Sequence, residues 1–236
     1  LDVSWTSYTI HSSLINSLIA IFIFLLFTIL GLDKIFSLIY TLMFSLLMYP
    51  SVGVPFVDHH STIFVLSSFI LFIIGIKKNQ TKYFFFIPIF LTIGFLCKQT
   101  PATYGVFALF VLCLIYIFYV KDIKNYILTL LYGSFFSLAS IVVFFYLTKI
   151  PVSNFFTQYI YFASSIGDYR LSNWKLDILG VIHEFKFIFI PLIYSFYLNI
   201  NYYLINKKDD FVILLTMNVF VIIMIFHQSL TMNENY

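Results

Sequence analysis

The sequence predicts an all-α, polytopic transmembrane helix bundle, and three observations predict it. Of the 236 residues, 61% are hydrophobic and only 10% are charged, whereas soluble domains carry about 25% charged residues. The apolar residues form continuous runs bounded by polar breaks, without the period-two alternation of a membrane β-barrel. The mean hydropathy of +0.99 also excludes a disordered chain, because so much apolar surface does not stay solvated.

The apolar runs indicate about eight spans, several of them shorter than the ~20 residues that cross ~30 Å of hydrocarbon. The predicted spans are 14–31, 35–49, 61–76, 83–97, 101–120, 126–147, 185–204 and 211–226. We interpret residues 1–236 as one transmembrane domain in which residues 148–184 form a long outer loop. The chain begins with Leu1, not Met, and we expect it to be an internal piece of a longer protein.

The distribution of charge assigns the two faces of the bundle. Positive residues concentrate in short cytoplasmic connections, and eight of the 13 basic residues fall in connections that alternate to one side. These eight residues are Lys34, Lys77, Lys78, Lys82, Lys121, Lys124, Lys207 and Lys208. All five histidines and six of the ten acidic residues fall on the opposite, outer face, so we expect any chemistry there. The net charge of +3 gives no reason to expect a nucleic-acid partner.

The first candidate site is Asp58-His59-His60, where the second outer loop enters a span. A carboxylate with two imidazoles could help to hold a divalent metal, or position a general base beside a phosphate-bearing substrate. We interpret Asp58 and His59 as catalytic residues, and as the pair that would hold a metal if the reaction requires one. The alternative is a helix cap, in which Asp58 or Ser61 accepts hydrogen bonds from free backbone amides.

The second candidate site is Lys98-Gln99-Thr100-Pro101, between two spans. Thr is a good cap and Pro favours the first helical position, so a helix is predicted to begin at Pro101 with Thr100 as its cap. Lys98 adds its charge to the positive end of that helix dipole, which favours binding of an anion such as phosphate. The alternative is an interfacial lysine that reaches for the headgroups.

The third candidate site is the long outer loop. Residues 152–163 are predicted to form an amphipathic helix in the membrane interface, followed by an irregular turn at 164–170. Arg170 is the only arginine in the chain, and a guanidinium binds phosphate in a bidentate manner. Tyr169 and Trp174 would offer ring faces to a sugar, although both also suit an interfacial aromatic belt. The apolar face of the predicted helix comprises Phe155, Phe156, Tyr159, Ile160 and Ala163.

The Asp58-His59-His60 motif, followed by Lys98-Gln99 before the next span, resembles the polytopic glycosyltransferases of the GT-C superfamily. The nearest resemblance is to bacterial relatives of protein O-mannosyltransferases and aminoarabinose transferases. It implies an outer-face site and a polyprenyl-phosphate sugar donor.

In such enzymes Asp58 would be the second acidic position, orienting the acceptor or a metal. His59 or His60 would contact that metal or the donor phosphate. Lys98, Gln99 and Arg170 would bind the phosphate. The family's first catalytic acid lies in an earlier outer loop, and we expect it upstream of Leu1, so the isolated piece could lack activity.

We therefore expect a glycosyltransferase of the cytoplasmic membrane, active on its outer face. It would move a sugar from a polyprenyl-phosphate donor to an envelope glycan, lipid or protein, with no cofactor beyond a divalent metal. One alternative is an O-antigen polymerase or ligase, although the single arginine counts against it. Another is a transporter or permease component, but transport sites lie near the bilayer midplane and the centres of the predicted spans hold no ionisable residue. A third is a structural membrane subunit.

Overall fold

A computed structural model of the chain describes residues 4–48, 57–119, 123–173 and 177–232, and this part of the chain contains helices and no strands. The all-α prediction is therefore confirmed. The α-helices in chain order are α1 Trp5–Ile29, α2 Lys34–Met48, α3 Val57–Lys78, α4 Lys82–Cys97, α5 Gln99–Ile117, α6 Ile123–Thr148, α7 Val152–Asn154, α8 Phe162–Asn173, α9 Ile178–Glu184, α10 Lys186–Leu204 and α11 Lys208–Met232. A π-helix, Phe155–Tyr161, lies between α7 and α8.

Six helices in the described ranges are long and apolar enough to cross a membrane: α1, α3, α5, α6, α10 and α11. Helices α2 and α4 are apolar but have only 15 and 16 residues. All eight coincide with the apolar runs of the sequence, and several apolar helices of this length indicate a multi-pass membrane protein. The count of eight spans stays a prediction.

Helices α1 and α11 extend well beyond their predicted ends, and serine side chains bond to the backbone in the added turns. Helix α1 begins at Trp5 instead of residue 14, since Ser4 and Ser7 form a reciprocal capping box that satisfies free amides of the first turn. Helix α11 continues to Met232, beyond the predicted end at residue 226. There the Ser229 hydroxyl donates to the carbonyl of Phe226 at 2.8 Å, within the helix.

The connection between α6 and α10 is mostly helical. The irregular turn predicted for residues 164–170 is wrong, because α8 covers all of them. The hydroxyls of Ser164 and Ser165 donate to backbone carbonyls three residues earlier, at 3.0 and 2.7 Å. Both serine hydroxyls therefore form hydrogen bonds inside the helix, although serine usually favours turns.

The helix predicted at 152–163 is present, and its apolar face is the more buried one. Phe155, Tyr159, Ile160 and Ala163 are half-buried, while Phe156 is exposed, as are the polar residues on the other face. The ring of Phe155 stacks on Tyr159 at 5.1 Å and meets Phe145 of α6 edge-on at the same distance. The location of this helix in a membrane interface stays a prediction.

The chain forms two compact units, Leu1–Gly133 and Ser134–Tyr236. In the first unit α3 is the central helix, and it packs against α1, α4 and α5. Every residue of α3 from Ser67 to Ile76 is buried. In the second unit α10 packs against α11, and Ser195 donates to the Asn218 side chain at 2.6 Å between them. Such hydrogen bonds between helices stabilise their association in a membrane, where the hydrophobic effect contributes little to helix packing.

Small residues let α4 and α5 approach the first half of α3. Ala102 is completely buried, and a Cβ added to Gly105 would lie 2.6 Å from Cγ1 of Val65. A Cβ on Gly94 would lie 3.3 Å from the carbonyl oxygen of Ser61. Small residues allow close helix contact, so these three positions bring the junction of α4 and α5 to the N-terminal turn of α3.

An aromatic cluster fixes the other end of the first unit. It comprises Phe72, Phe84, Tyr116 and Tyr126, whose ring centroids lie between 4.7 and 6.0 Å apart in the contacting pairs. The Tyr126 hydroxyl also donates to Oδ1 of Asn79 at 2.9 Å. Offset and edge-to-face ring pairs are stabilising. The cluster therefore joins the four helices α3, α4, α5 and α6 at the predicted cytoplasmic end.

The close contact at Gly105 leads to a stability prediction. We expect Gly105→Ala to lower the free energy of unfolding by about 1–3 kcal/mol, because the new methyl group meets the fully buried Val65 in a packed core. Thermal unfolding in detergent measures the effect. Gly167→Ala in α8 is the matched control, since nothing lies within 4 Å of its added Cβ. It should gain about 0.5–1 kcal/mol from helix propensity. Equal effects of both substitutions would contradict the packing argument.

Candidate functional site

The structure brings Asp58 and Lys98 into contact. Asp58 lies in the first turn of α3, and Lys98 is the one residue between α4 and α5. The Lys98 Nζ forms an ion pair with Oδ1 of Asp58, and the two side chains are 25% and 43% exposed. The Oδ1 atom is itself buried, so the exposed part of Asp58 is the rest of its side chain. The pair is therefore half-buried and open on one side.

The backbone of Lys98 makes a sharp link between two helices. It is extended, with φ −157° and ψ 136°, and it is both the C-cap of α4 and the N-cap of α5. The prediction that Thr100 caps a helix beginning at Pro101 is wrong, because α5 already begins at Gln99. Pro101 is the third residue of the helix, where its missing N–H has no intrahelical partner to lose. The Lys98 side chain makes no capping bond, which leaves its ammonium group for Asp58.

Ser61 attaches α3 to this link. Its side chain is completely buried, and its hydroxyl donates to the carbonyl oxygen of Lys98 at 2.9 Å. Ser61 thus contacts the α4–α5 junction, and this bond does not cap its own helix as the capping alternative proposed. The ion pair and this hydrogen bond hold Lys98 against α3 through its side chain and its backbone.

The three residues of the Asp58-His59-His60 motif do not converge on one point. At 3.6 residues per turn, Asp58 and His60 lie about 200° apart around α3, and His59 lies between them. His60 faces α1, where its Nε2 atom is 2.6 Å from Nε2 of His11. His11 was not among the predicted site residues, and its only sequence signal was its place among the outer-face histidines.

The junction combines groups of both charges. The N-termini of α3 and α5 lie together here, since Asp58 and Ser61 of α3 both contact Lys98, the N-cap of α5. A helix N-terminus carries positive partial charge with amide donors that have no partner within the helix. Lys98 and the half-buried Gln99 stand at the start of α5. The arrangement combines a cation, helix-terminal donors and a carboxylate that neutralises the cation when no anion is bound.

Other predicted site residues lie elsewhere. Tyr169 and Arg170 belong to α8 in the second unit, and their side chains lie outside the described part of the structure, as does Trp174. Within the described residues, no group of three or more His, Cys, Asp and Glu side chains is arranged to hold a metal ion. Asp58 already has a cationic partner in Lys98, so the metal role of Asp58 and His59 stays a prediction.

The second unit contains an open apolar groove of about 760 Å³ between α10 and α11. Its lining is apolar except for Glu184 and Gln228, both near the predicted outer face. The lining residues are Glu184, Phe185, Ile188, Phe220, Val221, Met224, Ile225 and Gln228.

Comparisons with protein-family models, with curated proteins and with solved structures find no match to this chain. The geometry of the junction is therefore the basis for the proposed function.

The ion pair leads to a coupling prediction. In a double-mutant cycle, Asp58→Asn and Lys98→Met should show a coupling free energy of about 1 kcal/mol or less, because both side chains are partly exposed and solvent screens the pair. The coupling should shrink as salt is added. Chemical unfolding of the purified protein in detergent provides the measurement.

The control cycle combines Asp58→Asn with Lys82→Met. Lys82 lies at the other end of α4, over the ring of Tyr83, and its coupling to Asp58 should be zero within error. A coupling for Asp58 and Lys98 no larger than this control would mean that the two charges do not interact in solution.

Proposed function

We propose that this chain is the membrane core of a glycosyltransferase. It moves a sugar from a polyprenyl-phosphate donor to an envelope acceptor on the outer face of the cytoplasmic membrane. The observation that carries the proposal is the contact between Asp58 and Lys98 at the paired N-termini of α3 and α5. It puts the three chemical elements of the transfer in one place: a cation, helix-terminal donors and a carboxylate.

Lys98 stabilises the leaving group. When the bond between the sugar and the phosphate breaks, its electron pair stays on the phosphate oxygen and negative charge grows there. Fixed cations and backbone donors aimed at such charge lower the barrier. Lys98 supplies the cation, and Gln99 with the first turn of α5 supplies donors on the same side.

Asp58 is the general base. It takes the proton from the acceptor hydroxyl while the acceptor oxygen forms its bond to the sugar carbon. The ion pair links the two roles, because a donor phosphate competes with Asp58 for the Lys98 ammonium. When no donor is bound, Asp58 pairs with the Lys98 ammonium. Donor binding breaks this ion pair and frees the carboxylate to accept the proton from the acceptor hydroxyl. His59, beside Asp58 on α3, serves as a second proton-carrying group at this site.

The placement of His60 limits the proposed phosphate contacts. His60 is directed to His11 on the other side of α3, so we assign the phosphate to Lys98 and Gln99. The roles of Arg170 as an additional phosphate ligand and of Tyr169 and Trp174 against the sugar stay predictions from the sequence, because the structure describes none of these three side chains.

The interior of the first unit disfavours the transporter alternative. Transport pathways use ionisable residues at membrane depth. The segment from Ser61 to Ile76 in the central helix α3 contains no ionisable residue, and the charged groups of α3 stand at its two ends. Chemistry at one face suits a transferase better than it suits a pathway through the bundle.

Transfer assays test the two roles. In membranes that contain the full-length protein, with a panel of radiolabelled polyprenyl-phosphate sugars, we expect Asp58→Asn to lower kcat by about 10²–10⁴-fold, the usual contribution of a general base. Lys98→Met should lower kcat/KM by about 10²–10³-fold, as for loss of one transition-state donor. Lys98→Arg, which keeps the charge, should recover part of this.

Lys82→Met is the control, because Lys82 lies at the opposite end of α4 from Lys98 within the same unit. It should retain full activity. Normal transfer by both Asp58→Asn and Lys98→Met would refute the proposed function.

A further inference from the structure

Two histidines from different helices meet at the predicted outer end of the first unit. His11 of α1 and His60 of α3 place their Nε2 atoms 2.6 Å apart. Their ring centroids are 4.9 Å apart and their planes differ by 21°. The rings therefore lie nearly end to end and almost coplanar. The lone pair of an imidazole nitrogen lies in the ring plane and points away from the ring, so both lone-pair directions converge on the same space.

Converging lone pairs require positive charge between them. A proton on one ring nitrogen satisfies this requirement as a hydrogen bond. A metal ion satisfies it as well, and neutral imidazole nitrogen is a favoured ligand of zinc, copper and nickel ions. We propose that His11 and His60 together bind one divalent transition-metal ion of this class, at a site that joins α1 to α3. Hard ions such as Mg²⁺ are not expected there, because they prefer oxygen ligands.

The geometry allows such an ion after the rings separate and turn. Bonds from imidazole to zinc are about 2.0–2.1 Å long, so a tetrahedral ion requires the two nitrogens to open by less than about 1 Å and the end-to-end rings to rotate until their lone pairs meet at the tetrahedral angle. His11 is exposed and His60 is half-buried, so His11 has room to rotate while the packed helices stay in place. The exposed side also admits water to the remaining coordination positions.

The site differs from the one that the sequence motif indicated. Asp58 is directed to Lys98 and lies about 200° around the helix from His60, so it is no ligand of this ion. The protein supplies two imidazoles and leaves at least two positions to water. This agrees with the absence of any three-residue metal group within the described ranges. An open site of this kind binds more weakly than a closed structural site but remains available to an oxygen ligand.

Metal titration tests the proposal, and it does not depend on the proposed function. The purified full-length protein is stripped with chelator and titrated with Zn²⁺ by calorimetry and with Cu²⁺ by electron paramagnetic resonance. We expect one ion per chain at micromolar affinity, with two nitrogen ligands in the Cu²⁺ spectrum. The unfolding temperature should rise with metal concentration, since an ion that binds the native state stabilises it.

Variants at adjacent positions give matched comparisons. His11→Ala and His60→Ala should each weaken binding by about tenfold or more and leave one nitrogen ligand from the pair in the Cu²⁺ spectrum. His59→Ala should bind as the original protein does, since His59 does not face His11. Asp58→Asn should also keep the metal while it loses transfer, which separates this site from the proposed transferase site.

Three outcomes would overturn the proposal. The first is no binding of either ion to the stripped original protein. The second is a loss of affinity in His59→Ala equal to that in His60→Ala. The third is a Cu²⁺ spectrum that does not change in His11→Ala. Circular dichroism and gel filtration of each variant show whether it is folded, and the ligand count from the Cu²⁺ spectrum is read on the folded fraction alone.

Discussion

The burial of α3 is the constraint on which the first unit depends. Three helices surround it, and from Ser61 to Ile76 it carries no ionisable residue, because an unpaired charge at that depth is costly. Polar chemistry is thereby confined to the ends of the helix. At its N-terminal turn, successive side chains point to different neighbours. The same turn therefore presents a carboxylate to one helix junction and an imidazole to another helix.

Much of the fold follows from composition and the pattern of apolar runs. The continuity of those runs was enough to predict the all-α class and the positions of eight apolar helices. The helix ends were harder to predict, because residues such as Ser12 and Ser164 resemble loop residues by composition. Their hydroxyls instead donate to backbone carbonyls within the helix. Whether such a bond forms depends on the rotamer of the serine side chain, and composition does not predict that rotamer.

The residues of the site were easier to predict than their pairing. Asp58 and Lys98 stood out because each is a charge beside an apolar span, and the structure brings them together. The contact between His11 and His60 depends on the rotation of α1 relative to α3, and that rotation is set by side-chain packing along both helices. The expected grouping of Asp58 with both histidines treated neighbours in sequence as neighbours in space, which helical geometry does not support.

The one-residue link at Lys98 has a consequence for how the protein is made. A single extended residue spans only about 3.5 Å, so α4 and α5 have no slack between them. In the predicted topology, in which both helices cross the membrane, α4 and α5 would insert together as a hairpin. The lysine at the tip of that hairpin would then cross to the outer face, and its ion pair with Asp58 would neutralise its charge there.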